Sequence, residues 1–174
     1  MTSWFEMRRV GLEFLDEAPM RVEVGVWSVL SRHQLWAAFT DATTWSSWFP
    51  DVRSADYPKQ SAPYGVGTVR VADVGGMLFE ETILAWDEPT RWTYRIDRCT
   101  TDLASAQVEA TEFAELPDGG TQVRWTLACN PRPLMAGVAD AMPAILEGKL
   151  AGALRSLERE NRARGFVGNI ERDG

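Results

Sequence analysis

Between Arg21 and Val52 the hydrophobic period of the chain switches from two residues to that of a helix, so a strand must feed directly into helical turns. Val22, Val24 and Val26 fall on one side of an extended segment and Arg21 and Glu23 on the other, the alternation of a half-buried strand. Ser31 followed by Gln34 then forms a capping-box pattern, and Leu35, Trp36 and Phe39 recur at helical spacing until Asp41 and Thr43 offer new N-caps. A second short helix carrying Trp45, Trp48 and Phe49 is expected to end at Pro50. A strand leading into two short helices rich in large aromatics predicts a lid over a concave sheet, and therefore a cavity.

Beyond Pro50 the pattern is that of strands joined by tight turns. Thr68 to Val74 and Met77 to Asp87 flank Gly75 and Gly76, a two-residue hairpin signal in which glycine supplies the positive φ of a primed turn. Arg91 to Cys99, Leu103 to Glu115 and Thr121 to Asn130 follow, separated by Pro89 and by the turn Pro117 to Gly120. Short turns imply antiparallel neighbours. Val123, Trp125, Leu127 and Cys129 share one face of the last strand and Gln122, Arg124 and Thr126 the other, so a sheet wet on one side only is expected.

The final third reads as a long helix. Leu134, Val138, Met142, Leu146, Leu150, Leu154 and Leu157 recur every three or four residues, with Lys149, Arg155, Arg159 and Glu160 off that stripe. Pro143 interrupts it, predicting a kink or break near Ala141, and Gly165 is expected to end it, with a loose tail from Asn169 to Gly174. The Gly148 and Gly152 pair suits a helix face exposed to water or at most a dimer contact.

Composition excludes several classes of partner. A chain of 174 residues suits one domain with a substantial core, and a net charge of −7 without a basic stripe argues against nucleic acid and anionic membrane surfaces. Neither a secretory signal nor a membrane span is expected, so a cytoplasmic location is the expectation. Cys99 and Cys129 lack metal-ligand spacing and read as buried thiols. His33 has no nucleophile pattern near it and reads as a surface residue; Gly65 and Gly67 lack the third glycine and following helix of a dinucleotide fingerprint. No metal and no cofactor are called for.

Several local motifs occur in a specific order. They are Leu35 and Trp36 with Asp41, Trp48 to Pro50, Gly65 to Thr68, Glu81 to Trp86 continued by Pro89 to Arg91, and Asp118 to Thr121. With the element order strand, two short helices, about six antiparallel strands and a long helix, this resembles the START-like superfamily, also called SRPBCC or Bet v 1-like, and within it the polyketide cyclase/dehydrase and lipid-transport branch. The resemblance covers roughly residues 20 to 160. It implies an α+β helix-grip fold, a curved antiparallel sheet of about seven strands wrapped around a long C-terminal helix. The expected division is an extension over 1–19, a ligand-binding domain over 20–165 and a tail over 166–174. In the extension, Val10, Leu12 and Phe14 would add an edge strand, or Trp4, Phe5, Val10 and Phe14 would dock on the domain.

The resemblance also implies a deep cavity between sheet and helix. Its expected lining is Trp45, Trp48 and Phe49 from the lid, Phe79, Glu81, Ile83, Trp92, Tyr94, Thr111 and Trp125 from the strands, and Met135, Val138, Met142 and Leu146 from the C-terminal stripe. Taken singly, each of the tryptophans also suits a packed core. Glu80 and Glu81 are adjacent and must point to opposite faces unless a bulge intervenes. The function this suggests is binding of a hydrophobic small molecule such as a lipid, isoprenoid or aromatic polyketide, by a monomer or homodimer. The alternative is a cofactor-independent polyketide cyclase, with Glu81, Tyr94, Arg95 and Glu109 as candidates for proton transfer. A third is a protein-interaction module using the outer face of the sheet.

Overall fold

The computed structural model describes residues 2–170. In chain order the elements are β1 (Phe5–Glu6), α1 (Phe14–Glu17), β2 (Met20–Ser28), α2 (Arg32–Thr40), a 3-10 turn (Ala42–Thr44), α3 (Trp45–Trp48), β3 (Val52–Asp56), β4 (Val69–Val74), β5 (Met77–Asp87), β6 (Arg91–Cys99), β7 (Ala104–Glu115), β8 (Thr121–Pro131), α4 (Pro133–Ala136), a second 3-10 turn (Ala139–Ala141) and α5 (Met142–Ile170). All strand pairs are antiparallel in one eight-stranded sheet of order β2-β8-β7-β6-β5-β4-β3, with β1 added against β6. This is the helix-grip architecture: α5 packs on β2 and against α3, and the core fills the space between helix and sheet.

Local chemistry explains most elements. The Ser31 side chain accepts from the Gln34 backbone N–H while the Gln34 side chain accepts from the Ser31 backbone, the reciprocal cap that starts α2. Between β4 and β5, Gly75 and Gly76 take φ of 62° and 92°, the positive values a two-residue primed hairpin demands. On α5, Leu146, Leu150, Ala153, Leu154 and Leu157 are all buried. Each leucine so covered contributes about 1.5–3 kcal/mol. Glu158 ties the helix to the end of β2 by accepting from Ser28 Oγ at 2.8 Å and from the Val29 N–H at 3.2 Å.

Two expectations change, one strand is added and one break falls where it was expected. The strand β3 escapes the period-two pattern because a bulge between Val52 and Ser54 sets its two buried residues, Val52 and Ala55, three apart. The C-terminal stripe is interrupted near Ala141, as expected. It breaks before Met142, as Pro143 suggested, into α4, a 3-10 turn and α5; Pro143 then lies in the first turn of α5, where its missing N–H has no intrahelical partner to lose, and it kinks nothing. Gly165 does not end α5, which continues to Ile170; residues 171–174 lie outside the described part. The outer face of the sheet is dry in one region, because the N-terminal segment docks there. Val10 and Phe14 pack on Ala106 and Val108 of β7, and Leu15, Ala18 and Leu84 close the patch.

Gly152 has an intramolecular role. A Cβ there would stand 3.0 Å from Pro50 Cγ, so the absent side chain lets the lid approach α5 closely. His33 is exposed, and Cys99 and Cys129 are buried free thiols.

Candidate functional site

Strand alternation decides which side chains look inward. On β7, Gln107, Glu109, Thr111 and Phe113 share the concave face, and on β8 Val123, Trp125, Leu127 and Cys129 do. On β5 plain alternation separates the two acids: Glu81 turns inward with Phe79, and Glu80 turns outward to meet Arg98 at 2.9 Å and Lys59 at 3.5 Å; the extra residue in the pairing, Asp97, lies on β6. Glu109 is likewise inward, while Glu112 pairs with Arg124 at 3.4 Å outside.

The inward faces, the lid and the start of α5 enclose a cavity of about 310 Å³. Trp45, Phe49, Phe79, Trp92, Trp125 and Leu127 supply much of its apolar wall, and Met135, Val138, Met142 and Leu146 close the helical side. Leu134, Val138 and Ile145 line it yet are 59%, 41% and 40% exposed, so the cavity reaches the surface at the broken start of the helical stripe.

At the other end, polar groups converge. Glu109 accepts three hydrogen bonds, from Tyr94 Oη at 2.7 Å, Trp125 Nε1 at 2.8 Å and Gln107 Nε2 at 2.7 Å. Three donors on one carboxyl group hold it in a single orientation. Beside it, Arg70 donates from Nε to Glu81 Oε2 at 2.6 Å and is wholly buried. Its guanidinium carbon lies 4.3 Å from the ring centre of Trp45, 4.6 Å from that of Trp92 and 4.5 Å from that of Tyr94, three aromatic faces around one cation.

Burial pushes the Glu81 carboxyl up to about 7; Arg70 opposes this, and Glu109 and Asp97 add to it. The desolvation of a carboxyl outweighs its ion pair here, so Glu81 exchanges its proton near neutrality. Burial, then Glu109 and Glu81, raise the Tyr94 phenol well above its ordinary value, which keeps it a donor.

The expected lining residues come together with two exceptions, Trp48 and Ile83. Trp48 is buried behind the cavity wall, where it packs on Phe39 and donates from Nε1 to Thr44 Oγ1 at 3.1 Å; Ile83 is fully buried core. Thr111 does line the cavity. Of the four proton-transfer candidates, Glu81, Tyr94 and Glu109 meet at its polar end, whereas Arg95 does not. Arg95 stands opposite Val108 and Thr82 on the outer face and pairs with Asp97 at 2.7 Å, and Asp97 in turn accepts from Thr82. The parity of β6 sends it there, since Tyr94 next to it points in.

Two members of the polar cluster are absent from the sequence reading. Gln107 was reachable by counting two residues back from Glu109. Arg70 was not: in β4 the valines Val69 and Val71 alternate with it, and alternation alone turns the valines inward. The register places Arg70 directly opposite Glu81, and that pairing together with three aromatic faces holds the cation inside.

Comparisons with known proteins agree with this architecture. The family model described as polyketide cyclase / dehydrase and lipid transport matches residues 20–161. Uncharacterized proteins of Mycobacterium tuberculosis and Mycobacterium bovis are 29% identical over 125 residues, 71% of this chain and 74% of theirs. Among solved structures, a START superfamily protein from Mycobacterium smegmatis superposes with a TM-score of 0.63 at 15% identity, over 79% of this chain and 98% of that one. The Zhui aromatase/cyclase from Streptomyces sp. R1128 superposes with a TM-score of 0.63 at 16% identity, over 83% and 94%. At such identities the likeness is one of fold. Among the described residues no helix is long and apolar enough to cross a membrane.

Proposed function

This chain belongs to the polyketide cyclase/dehydrase and lipid-transport family, and from that premise we propose that it binds an apolar small molecule in the cavity between sheet and helix. The observation that carries this reading is a cavity of about 310 Å³ whose walls are aromatic and aliphatic while its few polar groups gather at one end. Such a division is what an amphipathic ligand requires: apolar contact supplies affinity and a small polar cluster sets orientation. The route in is the exposed apolar rim of Leu134, Val138 and Ile145. Two reduced thiols suit a cytoplasmic setting for this activity.

A neutral fluorescent probe, N-phenyl-1-naphthylamine, tests the reading. Saturable binding to one site, weakened by Trp125→Ala, is the expected result. Native mass spectrometry of the protein from its own host should also show retained apolar mass. Failure to bind the probe and an empty native spectrum together would refute it.

One observation favours a catalytic variant of this reading. Glu81, with its proton exchanging at about 7 inside an apolar site, has the properties of a general acid or base. For a cyclase, Glu81→Gln should cut turnover of a poly-β-ketone by roughly 10²- to 10⁴-fold with little change in affinity. For a binder, Tyr94→Phe should weaken affinity by about 0.5–3 kcal/mol, and no product forms with the wild type.

A further inference from the structure

The polar end of the cavity carries a charge imbalance that discriminates among apolar ligands. Two carboxylates, Glu81 and Glu109, face a single cation, Arg70. Arg70 spends its charge inward: Nε bonds Glu81 and the guanidinium is packed among Trp45, Trp92 and Tyr94, so it does not line the cavity, whereas Glu81 and Glu109 do. Glu109 has both oxygens engaged by Tyr94, Trp125 and Gln107. Glu81 has only Oε2 engaged; its Oε1 has no hydrogen-bond partner among the described residues. A bound molecule therefore meets a free carboxylate oxygen, Glu81 Oε1, in a cluster where two carboxyl groups face one guanidinium; the Gln107 amide oxygen is also without a partner but is shielded from the cavity.

Resting on the cavity reading above, we infer that this site selects ligands whose buried end is a neutral hydroxyl on an aromatic body, donated to Glu81 Oε1, and that it rejects carboxylates. A hydroxyl brings one hydrogen and needs one acceptor, which is what Glu81 offers. A carboxylate brings no donor and places a negative charge beside the two acidic side chains in a largely apolar site, where like charges repel strongly. The aromatic body follows from the walls: Trp45, Phe49, Trp92 and Trp125 present ring faces and edges across the cavity, where offset and edge-on ring contacts are favourable.

The test uses three probes of matched size, 2-naphthol, 2-naphthoate and naphthalene, titrated calorimetrically into the full protein at pH 8, where Glu81 is mainly ionised. The wild type is expected to bind 2-naphthol at least about tenfold more tightly than either other probe. Glu81→Gln removes the charge and leaves Arg70 uncompensated, so 2-naphthoate should gain relative to 2-naphthol by about tenfold or more. Equal binding of naphthol and naphthoate by the wild type overturns the selectivity while leaving the cavity reading intact. An unchanged ratio in Glu81→Gln overturns the assignment to Glu81. Failure of all three probes overturns the cavity reading and this inference with it. The wild-type ratio decides even if the variant does not fold.

Discussion

Replacing Arg70 with leucine is expected to destabilise the protein by about 3–5 kcal/mol at pH 8, the usual loss when one partner of a buried ion pair is removed. The structure sets both the cost and its ceiling. Arg70 is 0% exposed, its Nε bonds Glu81 at 2.6 Å, and three ring centres lie between 4.3 and 4.6 Å from the guanidinium carbon. Each desolvated cation–π contact is worth about 0.5–2 kcal/mol, part of which leucine recovers as apolar contact with the same rings. The ceiling is the proton. Glu81 escapes an unpaired charge by staying protonated, at about 1.4 kcal/mol for each unit by which the pH exceeds its pKa, and that pKa can only rise once Arg70 is gone. The loss should therefore be smaller at pH 6 than at pH 8. The double variant Arg70→Leu with Glu81→Leu should be less destabilised than the sum of its singles by about 2 kcal/mol or more, because neither leaves the other stranded. Urea unfolding followed by tryptophan fluorescence at both pH values measures all of these. A loss below about 1 kcal/mol for Arg70→Leu, or additivity in the cycle, refutes the claim that the pair is interdependent.

Glu81 also gives the wild type a pH signature. Its folded value of about 7 lies above its ordinary 4.5, so the native state holds a proton that the unfolded chain releases, and stability contributed by this group falls as pH rises through that window, by about 3 kcal/mol at most; unfolding free energies from pH 4.5 to 8 should show the decline, and Glu81→Gln should flatten it. Phe14→Ala, which opens the patch over Ala106 and Val108, should cost about 3–5 kcal/mol and make residues 2–19 readily cleaved by protease; a loss under 1 kcal/mol would mean that the extension does not stabilise the sheet. Gly152→Val, whose Cβ would stand 3.0 Å from Pro50 Cγ, should lower stability by about 1–3 kcal/mol by pushing the lid off α5, seen as a lower urea midpoint. Pro143→Ala should leave ligand on and off rates unchanged in stopped flow, because Pro143 occupies the first turn of α5 and breaks no ladder bond; a slowed exchange would refute this and make Pro143 a gate.

The order of elements was legible in the sequence because it depends on local periodicity and turn chemistry. The capping pair Ser31 and Gln34, the hairpin glycines Gly75 and Gly76, and the alternation in β2 and β8 each act over a few residues, and each appears in the structure where the pattern put it. The motif order was enough to name the family, and the helix-grip fold follows from it. What the sequence left open is the content of the site. Glu80 and Glu81 are the same residue type side by side, and only the side of β5 that the core covers decides which of them enters the cavity. Arg70 reads as an outward residue on its own strand; only the register with Glu81 and the convergence of Trp45 from α3 with Trp92 and Tyr94 from β6 make its burial possible. Arg95 stood among the candidates although it alternates with Tyr94 along the strand, and the pleat of β6 puts it on the far side. Periodicity is a property of neighbours along the chain, so one sequence suffices to read it. The polar cluster is a property of neighbours across the sheet, whose pairing and charge compensation exist only once the strands have met.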